Sequence, residues 1–267
     1  MLQRVHVPTA LPDAIALLGP EAALLAGGTL LMPVVNTEVS PWSALVSARR
    51  LGLDGAAVIG GRARIGAATT LAALGRDEAL AVLRPVVESI ASPMIRNLAT
   101  VGGNLFAPQP YGDLAVALLA LDATAAISGP DGERTAPVGQ VLAGGVGPGE
   151  IVTSVAFDLP EPGTFFYTKA MRRKLNSASI VTVAAVITQA DGVVSSAQVA
   201  LGGCGPKPVR APAVEEALTG HPLDAAHVTA ASELALLNAA PFTDAYASAW
   251  YRARVLPVHI RRAILGA

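Results

Sequence analysis

The 267-residue sequence holds one cysteine, Cys204, so the chain can form no disulfide within itself and hold no cysteine-ligated cluster. Its four histidines, His6, His221, His227 and His259, are scattered without the spacing of metal ligands, and no resident metal is expected. Charge is scarce as well. Charged residues are 15% of the total, and 19 basic against 20 acidic side chains leave a formal net charge of −1. That balance removes the general electrostatic case for a nucleic-acid partner. The densest basic spots, Arg49-Arg50 and Arg172-Arg173-Lys174, read as solvated surface. Apolar stretches break well short of the ~20 residues of a membrane-spanning helix. The first residues, Met1-Leu2-Gln3-Arg4-Val5, lack the apolar core of a secretory signal, so a cytoplasmic location is expected. There is no G-x-G-x-x-G opening a helix, no phosphate-loop lysine motif and no serine in a nucleophile elbow. No catalytic residue is therefore assigned. The 52% of hydrophobic residues suggests surface buried against partners, and the large share of alanine in that count weighs against it.

What is present is a pair of glycine doublets. The first is Ala26-Gly27-Gly28-Thr29, after the apolar run Ala22-Ala23-Leu24-Leu25. The second is Thr100-Val101-Gly102-Gly103-Asn104, followed by a proline-rich stretch and Asp113. Glycine allows positive φ and places no Cβ between backbone and ligand, so two such turns can expose N–H groups to an elongated anion such as a pyrophosphate. Asp113 can then fix a ribose-like hydroxyl, or simply cap the helix it precedes. Lys169 can balance a phosphate or flavin charge, or form a surface ion pair. Tyr111, Phe106 and Tyr167 can stack on an aromatic ring or pack. On the residues alone, the reading is a phosphate or nucleotide binder in which a cofactor supplies the chemistry.

The coarse pattern is α+β. Helical spacing covers residues 11–18, 79–90 (with Pro85 inside it) and 114–121; strands are expected at 23–26, 56–59, 63–67, 123–128, 133–137 and 151–157. A boundary falls near Leu159-Pro160-Glu161-Pro162-Gly163. Three strands follow at 165–171, 179–189 and 193–201, with Asp191-Gly192 turning between the last two. The remainder reads as helices at 214–218, 225–237 and from about Asp244 onward.

Taken in order, these motifs resemble the medium, FAD-carrying subunit of molybdenum hydroxylases, the carbon monoxide dehydrogenase and xanthine dehydrogenase family. The resemblance spans nearly the whole chain. Besides the two doublets and Asp113 it takes in Glu150-Ile151-Val152, the Lys169-x-x-Arg172-Arg173 element, the segment from Gly202 to Arg210, and Asp244 through Tyr251-Arg252. It implies a vanillyl-alcohol-oxidase-like (PCMH-type) FAD-binding domain over 1–160, with subdomains of about 1–54 and 55–160. A C-terminal domain of three antiparallel strands and a helical bundle follows over 161–267. It implies FAD, with the pyrophosphate held by Leu25, Ala26, Gly27, Gly28, Thr29, Leu30 and Leu31 and by Thr100, Gly102, Gly103 and Asn104. Asp113 is similar to the acid that binds a ribose hydroxyl near the adenine end, and Ala107 and Gly112 are further implied cofactor-binding residues. Ile90, Ala91, Ile151 and Val152 fall where the family packs on the cofactor, and Lys169 where a lysine approaches the flavin. A molybdenum-cofactor large subunit and a 2Fe–2S small subunit are the implied partners. Electrons then pass from molybdenum through iron–sulfur clusters to FAD and on to an acceptor.

The sequence departs from the family pattern in three places. Leu30 stands where a polar residue is usual, Asn176-Ser177 where an acid commonly follows the paired arginines, and Ala107-Pro108-Gln109-Pro110 is rich in proline. Two other readings therefore stand beside the electron-transfer subunit: a flavoenzyme that works alone on a small substrate, and an assembly scaffold without FAD.

Overall fold

The computed structural model describes residues 2–37, 40–174 and 176–266. They form two compact units. The first comprises Met1–Ala81, Ser92–Ala107 and Thr124–Phe157; the second comprises Val82–Ala91, Pro108–Ala123 and Asp158–Ala267. Two segments that precede residue 160, Val82–Ala91 and Pro108–Ala123, thus group with the C-terminal part. The reason is the helix Asp113–Ala120, whose eight residues are all buried and which packs on strands of the second unit.

The first unit contains two sheets. β1 (Arg4–His6), β2 (Ala22–Leu25) and β3 (Ala44–Ser47) form a parallel three-stranded sheet in the order β1-β3-β2. The helix Leu11–Leu17 supplies Ala14 to a small core shared with Val46 and Ile151. β4 (Ala56–Ile59), β5 (Arg62–Gly66), β6 (Thr124–Gly129), β7 (Gly132–Pro137) and β8 (Ile151–Asp158) form the second sheet in the order β4-β5-β8-β6-β7. β4 and β5 turn through Gly60-Gly61, both at positive φ, the geometry of a tight hairpin.

Glu150, just before β8, ties this sheet to the loop ahead of it. Arg134 grips its carboxylate through two N–H donors at 2.6 and 2.7 Å, and the Gly147 N–H donates at 2.6 Å. The Arg134 bond first, and the Gly147 N–H second, pull its pKa from 4.5 to about 2 against a small opposing effect of burial. A depressed carboxylate contributes stability above its unfolded pKa and loses it as pH falls through the folded one. Glu150→Gln is expected to flatten the decline of melting temperature between pH 4.5 and pH 2. Melts of wild type and variant across that window check it, and parallel curves would show that the pair carries no acid sensitivity.

The second unit is built on an antiparallel sheet of β9 (Phe165–Met171), β10 (Ser179–Ala190), β11 (Val193–Gly202) and β12 (Val209–Arg210) in the order β12-β11-β10-β9. Three strands match the sequence reading; β12, two residues long, adds an edge. One face of the sheet carries the helices Pro212–Leu218, Ala225–Ser232 and Ala249–Leu265, with a core that includes Val183, Ile187, Leu201, Leu218, Val228, Leu256 and Ile260. Helix Asp113–Ala120 packs against β10 and β11.

Three helical expectations are corrected. Residues 79–90 form a 3-10 turn, Glu78–Leu83, and a separate short helix, Arg84–Glu88, because Pro85 fits only a first helical turn. The 225–237 helix gives way to a 3-10 turn at Glu233–Leu237. The last helix begins at Ala249, capped by the Ser248 hydroxyl, and Asp244 lies before it, accepting from the N–H groups of Tyr246 and Ala247. Among the described residues no helix is long and apolar enough to cross a membrane.

Candidate functional site

In the first unit, β2 runs off its sheet into residues 26–30 and then into the short helix Leu31–Val35. Gly28 takes φ +72°, which turns the chain at the strand end. Gly27 is pressed on the backbone of Leu98 and Ala99, so tightly that a Cβ there would lie 2.0 Å from the Leu98 carbonyl oxygen. This contact brings the first doublet against the segment that leads into Thr100. Among the described residues, the N–H groups of Gly27, Gly28, Thr29 and Leu30 make no hydrogen bond, nor does the Thr29 hydroxyl. Consecutive unpaired N–H groups at a turn form a concave anion site. Leu25 ends β2, Leu31 opens the helix, and Leu30 is 43% exposed.

The second doublet is not an open loop. Residues Val101–Leu105 are a helical turn with Thr100 as its cap. The Val101 N–H donates to Thr69 O, the Gly102 N–H to Ala67 O, the Gly103 N–H to Thr100 Oγ1, and the Asn104 N–H to Thr100 O. The expectation that both doublets expose bare N–H groups is therefore corrected: the second spends its donors within the unit. Gly102 backs directly on Ala67, and Asn104 is buried with its own partner. The segment supports Gly27 from behind, through residues 98–99. Ala107 closes this stretch of the first unit and is half-buried. Ile151 and Val152 are buried on β8.

The second unit holds the ionisable candidates. Asp113 is the first residue of its helix, after Gly112, yet its side chain makes no capping bond. It is instead buried and fully engaged. Its Oδ2 accepts from Lys169 Nζ at 2.8 Å; its Oδ1 accepts from Thr182 Oγ1 at 2.6 Å and from Ser179 Oγ at 3.2 Å. Lys169 forms an ion pair, as one of its two readings had it, but a buried one and with Asp113: both side chains are 3% exposed. A buried carboxylate stays charged only when paired and hydrogen-bonded in this way. Lys169 also donates to the Ser89 carbonyl at 2.9 Å, and the Ser89 hydroxyl lies 2.8 Å from the Tyr167 hydroxyl. Ile90 is buried, and Ala91 takes φ +45°, a left-handed conformation that costs a non-glycine residue roughly 1–2 kcal/mol.

Tyr167 is thus a hydrogen-bonding partner within the unit. Burial first, and the Asp113 charge second, push its phenol well above the usual range. Tyr111 meets Tyr246 edge-on with a 2.9 Å hydroxyl contact, and that bond pushes its pKa up to about 12. Phe106 is exposed. Cys204 is buried, and burial pushes its thiol up to about 12, the character of a structural rather than a reactive cysteine. The sequence reading assigned no role to Ser89, Ser179 or Thr182. Thr182 carries a readable signal, a lone hydroxyl in the apolar run Ile180-Val181-Thr182-Val183-Ala184, because a polar group buried there needs a partner.

Residues 2–161 match the family model described as the FAD binding domain in molybdopterin dehydrogenase, and residues 166–267 match the CO dehydrogenase flavoprotein C-terminal domain. The chain belongs to this family of FAD-binding subunits of molybdenum-containing dehydrogenases. It is similar to the carbon monoxide dehydrogenase medium chain of Afipia carboxidovorans, 31% identical over 97% of this chain and 94% of that one. It is likewise similar to the xanthine dehydrogenase FAD-binding subunit of Escherichia coli O157:H7, with 31% identity and the same two coverages. Among solved structures, carbon monoxide dehydrogenase from Hydrogenophaga pseudoflava matches with a TM-score of 0.94 at 28% identity, over 100% of this chain and 97% of that one. The run of unpaired N–H groups at residues 27–30 fits the pyrophosphate of the FAD that the family binds.

Proposed function

We propose that this chain is the FAD-carrying electron-transfer subunit of a cytoplasmic molybdenum hydroxylase complex, working with a molybdenum-cofactor large subunit and a 2Fe–2S small subunit. The observation that carries the reading is the row of four unpaired N–H groups at residues 27–30, held over the Leu98 carbonyl by Gly27. These groups would hold the pyrophosphate, together with the Thr29 hydroxyl. Thr100, Gly102, Gly103 and Asn104 would fix the backing segment, and Leu25, Ala26, Leu30 and Leu31 would complete the loop. Ile90, Ala91, Ala107, Gly112, Asp113, Ile151, Val152 and Lys169 are proposed as further residues of the cofactor site. The division into a FAD-binding domain over 1–160 and a C-terminal domain over 161–267 belongs to the same proposal.

When bound, FAD supplies redox chemistry that links one-electron donors to a two-electron acceptor. The chain's own part is to bind and orient. It would offer N–H donors to phosphate oxygens, and the buried cation among the proposed residues, Lys169, is held by Asp113.

A visible absorption spectrum of the purified chain, with the cofactor released and identified, tests the binding step. One FAD per chain is expected. A chain free of flavin that added FAD does not restore would leave the scaffold reading in its place.

A further inference from the structure

The second unit contains a polar chain that ties two of the proposed site residues, Lys169 and Asp113, to groups outside that set. It runs from Tyr167 and Ser89 through Lys169 and Asp113 to Ser179 and Thr182. Ser179 extends it further: its hydroxyl also donates to Pro110 O, and its carbonyl accepts from the buried Arg252. The members come from separate stretches of sequence. The Lys169 ammonium joins the helix bearing Asp113 to the turn after helix Arg84–Glu88. Of its three N–H donors, two are used, one on each.

The Ser89 carbonyl is a telling target. It directly precedes Ile90 and Ala91, and Ala91 takes φ +45°. A non-glycine residue stays at positive φ only where its surroundings fix it. The Ser89 and Ile90 amides close the turn from the inside, donating to Pro85 and Val86 and to Val87. Lys169 adds its own bond to the Ser89 carbonyl.

We infer that Lys169 and Asp113 are a positioning pair: Asp113, aligned by the Thr182 and Ser179 hydroxyls, holds the Lys169 ammonium on the Ser89 carbonyl and so fixes the turn at residues 89–91 before any cofactor binds. The inference rests on the FAD reading only in so far as Ile90 and Ala91 are taken to face the cofactor. The pair itself is a property of the protein alone. Asn at 113 retains an acceptor for Lys169 and an amide for the two hydroxyls. Leu retains neither.

The test is amide hydrogen exchange at Ser89 and Ile90 in the full-length chain without FAD, beside its thermal melt and its FAD affinity. Asp113→Asn, which keeps an acceptor but leaves the buried Lys169 charge unpaired, is expected to loosen the turn and raise exchange at Ser89 and Ile90 above wild type. The double variants K169M/D113L and K169M/D113N both remove the two charges together, so either can stand in for the other if one does not fold. In both, exchange at Ser89 and Ile90 is expected to rise about tenfold or more over any change that the global stability accounts for. FAD affinity is expected to fall by about tenfold or more in parallel. Wild-type exchange at 89–90 in a folded double variant overturns the inference, even if FAD affinity is lost, because the pair would then act by direct contact alone. Loss of the whole fold in both double variants overturns it too, since the pair would then be a general stability element. If wild type binds no FAD, the FAD reading fails by itself and the exchange result still decides this one.

Discussion

Gly27→Ala is expected to strip the chain of FAD and to cost it about 3 kcal/mol of stability. The argument is steric. The added Cβ would sit 2.0 Å from the Leu98 carbonyl oxygen and 2.7 Å from its carbonyl carbon, and these are backbone atoms that cannot swing aside. Relieving the clash means parting residues 26–30 from residues 98–99. Overpacking of this kind usually costs about 1–3 kcal/mol, and the upper end applies where backbone meets backbone. The displaced loop carries the N–H groups proposed for the pyrophosphate, so affinity falls together with stability. Gly19→Ala, where an added Cβ meets nothing within 4 Å, is the matched control and should change stability by less than about 0.5 kcal/mol. Flavin content and melting temperature of the two variants check the prediction. A Gly27→Ala chain with full FAD content would show that this loop is not the phosphate site.

The second large effect is expected at Arg252. It sits on the C-terminal helix with no exposed surface, one of the largest fully buried side chains. Its Nη1 donates to the carbonyls of Ser179, Ile180 and Gly203, its Nη2 to Asp244 Oδ2 at 2.7 Å, and its guanidinium lies 4.6 Å from the centroid of Phe242. One side chain thereby ties the start of β10 and the end of β11 to the last helix. Burial tends to raise the Asp244 carboxyl, but the Ala247 N–H, the Arg252 bond and the Tyr246 N–H outweigh it and hold it below its usual value. Arg252→Met keeps the volume of the stem and removes every one of these donors. Breaking one partner of a buried ion pair costs about 3–5 kcal/mol. The melting midpoint is expected to fall by roughly 10 °C. Arg254→Met, two residues along the helix, loses only a stacking contact with the exposed Trp250 and should cost less than about 1 kcal/mol. Equal melts for the two variants would contradict this account of Arg252.

What could be read from the sequence was local. β9 was placed to the residue, and the hairpin of β10 and β11 was legible because Asp191-Gly192 adopts the paired positive φ values that such a turn needs. The strand that leads into Gly27-Gly28 was legible for the same reason, as an apolar run ending at a residue that must turn. What could not be read was tertiary. Thr100-Val101-Gly102-Gly103-Asn104 looks like a loop because glycine disfavours helix. It is a helical turn because Thr69 and Ala67, more than 30 residues earlier in the chain, accept its N–H groups. The ion pair of Asp113 with Lys169 spans 56 residues, and no local pattern announces it. Arg252 stood in the sequence as one basic residue among several on a helix; only the strand ends that it meets give it a role. The Leu30 departure remains a surface leucine, and nothing in the structure explains its choice. Asn176 takes φ +53°, where asparagine is among the residues that tolerate the left-handed region, a local reason for Asn at that position.

The most direct measurement is a composition analysis of the chain isolated from its own cells under mild conditions, counting FAD, molybdenum and iron per chain and the polypeptides that accompany it. The account predicts one FAD per chain, two further polypeptides in fixed ratio, and molybdenum and iron in the same particle. A chain isolated alone, loaded with FAD and reduced by an organic substrate without other subunits, would contradict it.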